Sequence, residues 1–122
     1  MENTYRHTVT WDDTHQIVRI FGHGVADARE AEFLISETDR MAKEHGNGLK
    51  ILLDLSQITK TTSEGRKIMT KATGHPSVYK LALVGASTIM RTVSNFISTA
   101  AGQSNAMHFK TEREALKWLG EE

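Results

Sequence analysis

A chain of 122 residues, 39% hydrophobic and 25% charged, fits one soluble globular domain with a core of its own (residues 1–122). It contains no cysteine, which excludes disulfides, thiolate metal sites and a catalytic thiol. The formal net charge of zero hides a split: residues 1–48 carry five bases against nine acids, net −4, and residues 49–122 ten against six, net +4. Such asymmetry suits an acidic partner or a membrane surface, and equally the solvated faces of ordinary helices. The opening MENTYRHTVTW lacks the apolar segment of a signal peptide, and no run approaches the ~18 apolar residues of a membrane span, so a cytoplasmic protein is expected.

YRHTVTW (5–11) alternates, with Tyr5, His7, Val9 and Trp11 on one face, and HQIVRIFG (15–22) is rich in β-branched and aromatic residues. The intervening Asp-Asp-Thr is a turn signal, so the pair predicts a β-hairpin, ended by Gly22 and Gly24. A helix follows, N-capped by Asp27, with Ala31, Leu34, Ile35, Thr38, Met41 and Ala42 on one stripe and Phe33 nearly opposite. Gly46 and Gly48 end it. LKILLDL (49–55) is a nearly continuous aliphatic run, as expected of a parallel strand covered on both faces.

The stretch 63–73 places Gly65, Ile68, Met69 and Ala72 on one helical face before Gly74 and Pro76 stop it. KLALVGA (80–86) predicts a second buried strand and STIMRTVSNFISTAAG (87–102) a helix. AMHFK (106–110) is a last short strand. The final helix opens on a capping box, Thr111-x-x-Glu114, and should bury Ala115, Trp118 and Leu119. The order ββαβαβαβα implies an α/β domain: a mainly parallel sheet, an antiparallel edge hairpin and four helices.

Catalytic and metal motifs are sparse. The six histidines form no H-x-H or H-E-x-x-H, and His7 and His108 read as packing or edge residues on strands. Ser87 and Thr88 follow Gly85 at a helix start, where free amides can hold an anion or where Ser87 simply caps the helix. Lys60, Arg66, Lys67, Lys71 and Lys80 lack interleaved aromatics, so nucleic acid is not an expected partner. Asp54, at the carboxyl end of a buried strand, is where α/β sheets place functional groups, but it has no matched base, nucleophile or metal partner.

ILLDLSQITKTTSEG (51–65), together with the element order, resembles the STAS domain of bacterial anti-anti-sigma factors. In that family a strand ends in aspartate, leucine and a small polar residue, matched here by Asp54, Leu55 and Ser56. An Asp-Ser-Ser-Gly-like turn then opens a helix, and its second hydroxyl is phosphorylated. Thr62, Ser63, Glu64 and Gly65 occupy that turn, so Glu64 stands where the modified hydroxyl would be.

KLALVGAS (80–87), Arg91 and HFKTEREALKWL (108–119) further resemble the SpoIIAA-like branch related to CRAL-TRIO lipid-binding domains, a likeness running from about Thr8 to Leu119. The resemblance implies a non-enzymatic regulatory module that binds a protein partner, such as a regulator or an anti-sigma-like kinase, without the usual phosphoswitch. The implied surface comprises Asp54, Ser56, Thr61, Thr62, Ser63, Glu64, Gly65 and Arg66. The alternative is a carrier or sensor of a small apolar or lipid-like ligand, membrane-peripheral, using Met69 and Met90. Neither reading requires a cofactor or metal. A homodimer through the hairpin edge is a further expectation.

Overall fold

The computed structural model describes residues 5–85 and 105–121. The elements are β1 (Thr8–Asp12), β2 (Ile17–Ala26), α1 (Ala28–His45), β3 (Leu49–Thr61), α2 (Ser63–Thr73), β4 (Val78–Val84), β5 (Ala106–Phe109) and α3 (Glu112–Gly120). They form an α/β domain around one mixed sheet, ordered β1-β2-β3-β4-β5, antiparallel only between β1 and β2. The described residues include three helices where four were expected. The helix expected over 87–102 lies outside them, as do Ser87, Thr88 and Met90.

The aliphatic run of β3 splits between the two sheet faces, because successive strand residues point to opposite sides. Ile51, Leu53 and Leu55 pack with Leu34 and Met41 of α1, and Leu52 packs with Ala82, Val84, Ala115 and Leu119. Thus α1 and α2 cover one face and α3 the other. Each fully buried aliphatic side chain contributes about 1.5–3 kcal/mol.

Both strands beside the candidate site run further than the sequence suggests. The glycines expected to end β2 lie inside it, and β3 continues six residues past Leu55 to Thr61. From Phe21↔Asp54 to Ala26↔Thr61 the ladder slips twice, so β3 spends two more residues than β2 over the same span. These are bulges, and each moves the alternation by one. Gly22 makes room for the first: a Cβ there would lie 2.6 Å from Ile58 Cδ1.

Two side chains also depart from expectation. Phe33 is half-buried and stacks on Tyr5, with ring centroids 4.1 Å apart. Trp118, expected to be largely buried, is half-buried. Its ring meets Phe109 at 5.4 Å, and Lys80 Nζ lies 4.8 Å from its centroid. That ammonium also donates to the carbonyls of Trp118 (2.8 Å) and Glu121 (2.7 Å), capping the C-terminus of α3.

Candidate functional site

The carboxyl ends of β2 and β3 deliver the chain into two helix N-termini lying side by side. Asp27 caps α1, its Oδ1 accepting from the Glu30 amide at 3.0 Å. Thr62 caps α2, its Oγ1 accepting from the Gly65 amide at 3.0 Å. The Thr62 amide donates to the Ala26 carbonyl at 3.2 Å, so the start of α2 is held by the backbone that leads into α1. Gly65 permits this approach: a Cβ would sit 2.5 Å from that carbonyl oxygen and 3.0 Å from Asp27 C. Gly65, on the apolar stripe of α2 and expected to pack against the sheet without room for a side chain, does lack that room, the obstacle being the β2–α1 junction.

Around the cap the hydroxyls have separate tasks. Arg66 Nη1 donates to Thr61 Oγ1 at 2.7 Å and Nη2 to Ser63 Oγ at 3.4 Å. Glu64 points outward, its side chain 73% exposed and 3.8 Å from Lys67. A carboxylate in a first helical turn is favoured by about 0.3–1 kcal/mol, which explains the residue without invoking a partner.

Asp54 and Ser56 form a second cluster. Asp54 Oδ1 accepts from the Ser56 amide (2.8 Å) and hydroxyl (2.6 Å), tying together the first bulge. Asp54 alternates with Leu53 and Leu55 and is in register with Val84, so its side chain faces the α3 side. Gly65 and Met69 lie on the α1–α2 side. The surface expected from sequence is therefore two surfaces, separated by the sheet.

Between α2 and the sheet lies a small apolar cavity of about 20 Å3, lined by residues including His7, Leu34, Leu55, Ile58, Gly65 and Met69. A second of about 20 Å3 flanks Met69 on its other side, towards Ala72 and Leu81. Each has room for roughly one water molecule.

The residues that seal this region come from α1 and from the segment before β1. Glu30 is 0% exposed, and its Oε1 accepts from the amides of Arg6 and His7, both at 2.9 Å. Arg29 Nη1 lies 3.2 Å from Oε2. Arg6 spans outward to the Val25 carbonyl (3.0 Å) and Asp27 Oδ2 (3.0 Å). His7 is 4% exposed, with Nδ1 accepting from the His23 amide at 3.3 Å. The available signal was the spacing Asp27-x-x-Glu30, a capping-box pattern whose glutamate here serves two amides from outside the helix.

Two groups here titrate away from their ordinary values. Burial pushes the His7 imidazole down, opposed by the Glu30 charge and assisted by Arg6 and His23. The Glu30 amide, with help from Arg6, holds Asp27 below the usual carboxylate range. Among the described residues no group of histidines and carboxylates is arranged to hold a metal ion.

This two-sided α/β sheet with a capped turn after its central strand has the SpoIIAA-like fold. A protein of the DUF3478 family from Shewanella loihica PV-4, described as having that fold, is 12% identical over 98% of both chains, with a TM-score of 0.71. The anti-sigma factor antagonist SpoIIAA in its unphosphorylated form is 18% identical over 93% of this chain and 96% of that one (TM-score 0.61). The Bacillus cell fate determinant SpoIIAA in its phosphorylated form is also 18% identical, over 93% and 98% (TM-score 0.63). At these identities the likeness is one of fold. Residues 25–121 match the family described as Domain of unknown function (DUF7793), and the chain belongs to that family. No curated protein matches it in sequence.

Proposed function

We propose that this protein is a non-enzymatic regulatory module that binds a protein partner through the start of α2. The surface runs over Thr61, Ser63, Glu64 and Arg66, and it works without the phosphoswitch of anti-sigma factor antagonists. The observation carrying this reading is the turn itself. Thr62 is committed to the cap, Ser63 and Thr61 to Arg66, and the outward position is a permanent carboxylate. Phosphate on Ser63 would set a second anion beside Glu64, which reduces what the helix dipole gains from it. A cytoplasmic location belongs to the same proposal; no described helix is long and apolar enough to cross a membrane.

Protein from the source organism should carry no phosphate on Thr61, Thr62 or Ser63, and affinity capture with the wild-type chain should retain a protein that Glu64→Lys loses. Stoichiometric phosphorylation at any of the three, read by intact mass and phosphopeptides, would return the molecule to the switching type. The cavities on either side of Met69 favour the alternative, a small apolar or lipid-like ligand. They are too small for one as they stand, so α2 would have to lift. A ligand mass retained in native mass spectrometry after gentle purification would decide for that reading.

A further inference from the structure

We propose that His7 is a proton-operated latch joining the N-terminal segment 5–7 to the backbone that supports the start of α2. Residues 5–7 lie as a strap against the first turns of α1. Tyr5 stacks on Phe33 at 4.1 Å, and Arg29 lies 4.1 Å from the same ring centroid. Glu30 holds the amides of Arg6 and His7. The His7 ring reaches the other way, towards β2.

The ring has two exclusive arrangements. Nδ1 accepts from the His23 amide at 3.3 Å, which requires the proton of the neutral ring to sit on Nε2. The same Nδ1 lies 3.5 Å from Glu30 Oε1, where an acceptor faces a carboxylate with no hydrogen between them. A second proton turns Nδ1 into a donor. It can then no longer accept from His23, and its favoured partner becomes Glu30 Oε1. That oxygen already serves two amides, so the strap and the β2 backbone must both adjust.

The path to α2 is short and contiguous. His23 sits at the first register slip of β2, three residues before Ala26, whose carbonyl accepts from Thr62 and abuts Gly65. His7 and Gly65 also line one cavity, so a change in the ring reaches α2 through space as well. The charged and titratable groups around His7 are Glu30 from α1, Arg6 beside it, His23 from β2, Asp27 at the cap of α1, and Arg66 from α2 across the cavity. Burial lowers the His7 titration below the ordinary 6.5, which keeps the latch closed at neutral pH. The latch belongs to the fold and needs no partner; only its effect on binding rests on the proposed function.

Residue-resolved nuclear magnetic resonance from about pH 8 to about pH 5 tests it, the interval in which a histidine changes charge. At the alkaline end the His7 ring should be the Nε2–H tautomer. On acidification the amides of His23, Arg6 and Gly65 should shift with the His7 midpoint, below 6.5. Exchange of the Arg6 and His7 amides, corrected for intrinsic rate, should quicken about tenfold as the strap opens. In His7→Gln, which stays neutral, that shared midpoint should vanish. An Nδ1–H tautomer at pH 8, a Gly65 amide that ignores the His7 titration, or the same transition surviving in His7→Gln would each overturn the proposal. The tautomer and the co-titration are read on the wild-type chain, so they decide even if the variant does not fold.

Discussion

The two helices that start side by side share a cap and little else. Asp27 and Thr62 each hold the amide three residues on, at 3.0 Å in both cases. Beyond that first turn α1 buries Glu30, Ala31, Leu34, Thr38 and Met41, whereas among the described side chains of α2 only Gly65 is buried; Ile68 is half-buried, as are Met69 and Ala72, which border small cavities. The cap fixes where a helix begins, and packing fixes how firmly it stays. In this molecule α1 is the anchor and α2 the element with little to lose by moving, as suits the helix that carries the partner surface.

The largest expected contrast is in the core positions. Leu34→Ala should cost about 2–5 kcal/mol and Met69→Ala no more than the lower end of that range, because Leu34 is buried whereas Met69 is half-buried. Urea unfolding followed by circular dichroism compares the two, and equal losses would mean that α2 is as firmly packed as α1. Next comes Gly65→Val, expected to cost about 1–3 kcal/mol through collision with the Ala26 carbonyl. A melting temperature within a degree or two of wild type would contradict the close approach.

Removing either cap with Asp27→Ala or Thr62→Ala should cost about 1 kcal/mol at neutral pH, and here acid separates the helices. Asp27 has a folded pKa held below its ordinary 3.8, so its stabilisation is complete above that value and is lost as pH falls through the folded one. Thr62 does not titrate. The penalty of Asp27→Ala should therefore shrink in acid while that of Thr62→Ala persists, as a pH series of denaturation midpoints would reveal. The smallest effect on folding belongs to Glu64→Gln, within about 0.5 kcal/mol of wild type, since the side chain is largely in solvent. Its influence should appear in partner capture alone.

Most of the fold was legible because period and punctuation agreed. The antiparallel pairing of the hairpin, α1, the aliphatic centre of β3, the Thr111 cap of α3 and its buried Ala115 and Leu119 follow the pattern, although the hairpin strands run over Thr8–Asp12 and Ile17–Ala26 where 5–11 and 15–22 were expected. Legibility failed where the period broke. After Leu55 the residues facing α1 and α2 recur at Ile58 and Thr61, every third position, which matches neither a strand nor a helix. The stretch reads as loop, and Gly22 reads as a strand end when it makes room for a bulge. The α2 turn was legible from its own residues; its division from Asp54 was not, because sheet faces are assigned only once register is known. Glu30 was hidden for another reason. A carboxylate on a helix looks solvated until tertiary structure brings amides to it, whereas His7, read as a packing or edge residue, is indeed buried.

The two slips in β3 have a consequence for how its length can vary. Each adds one residue, and together they restore the odd–even phase, so the chain enters α2 with Gly65 turned towards the β2–α1 junction. Losing one residue between Leu55 and Thr61 would invert the phase and aim the first turn of α2 the wrong way. Losing one residue from each bulge would straighten the strand and keep the aim. Chain length in this strand is therefore counted in pairs: chains that keep both neighbouring helices in place should differ here by two residues or by none.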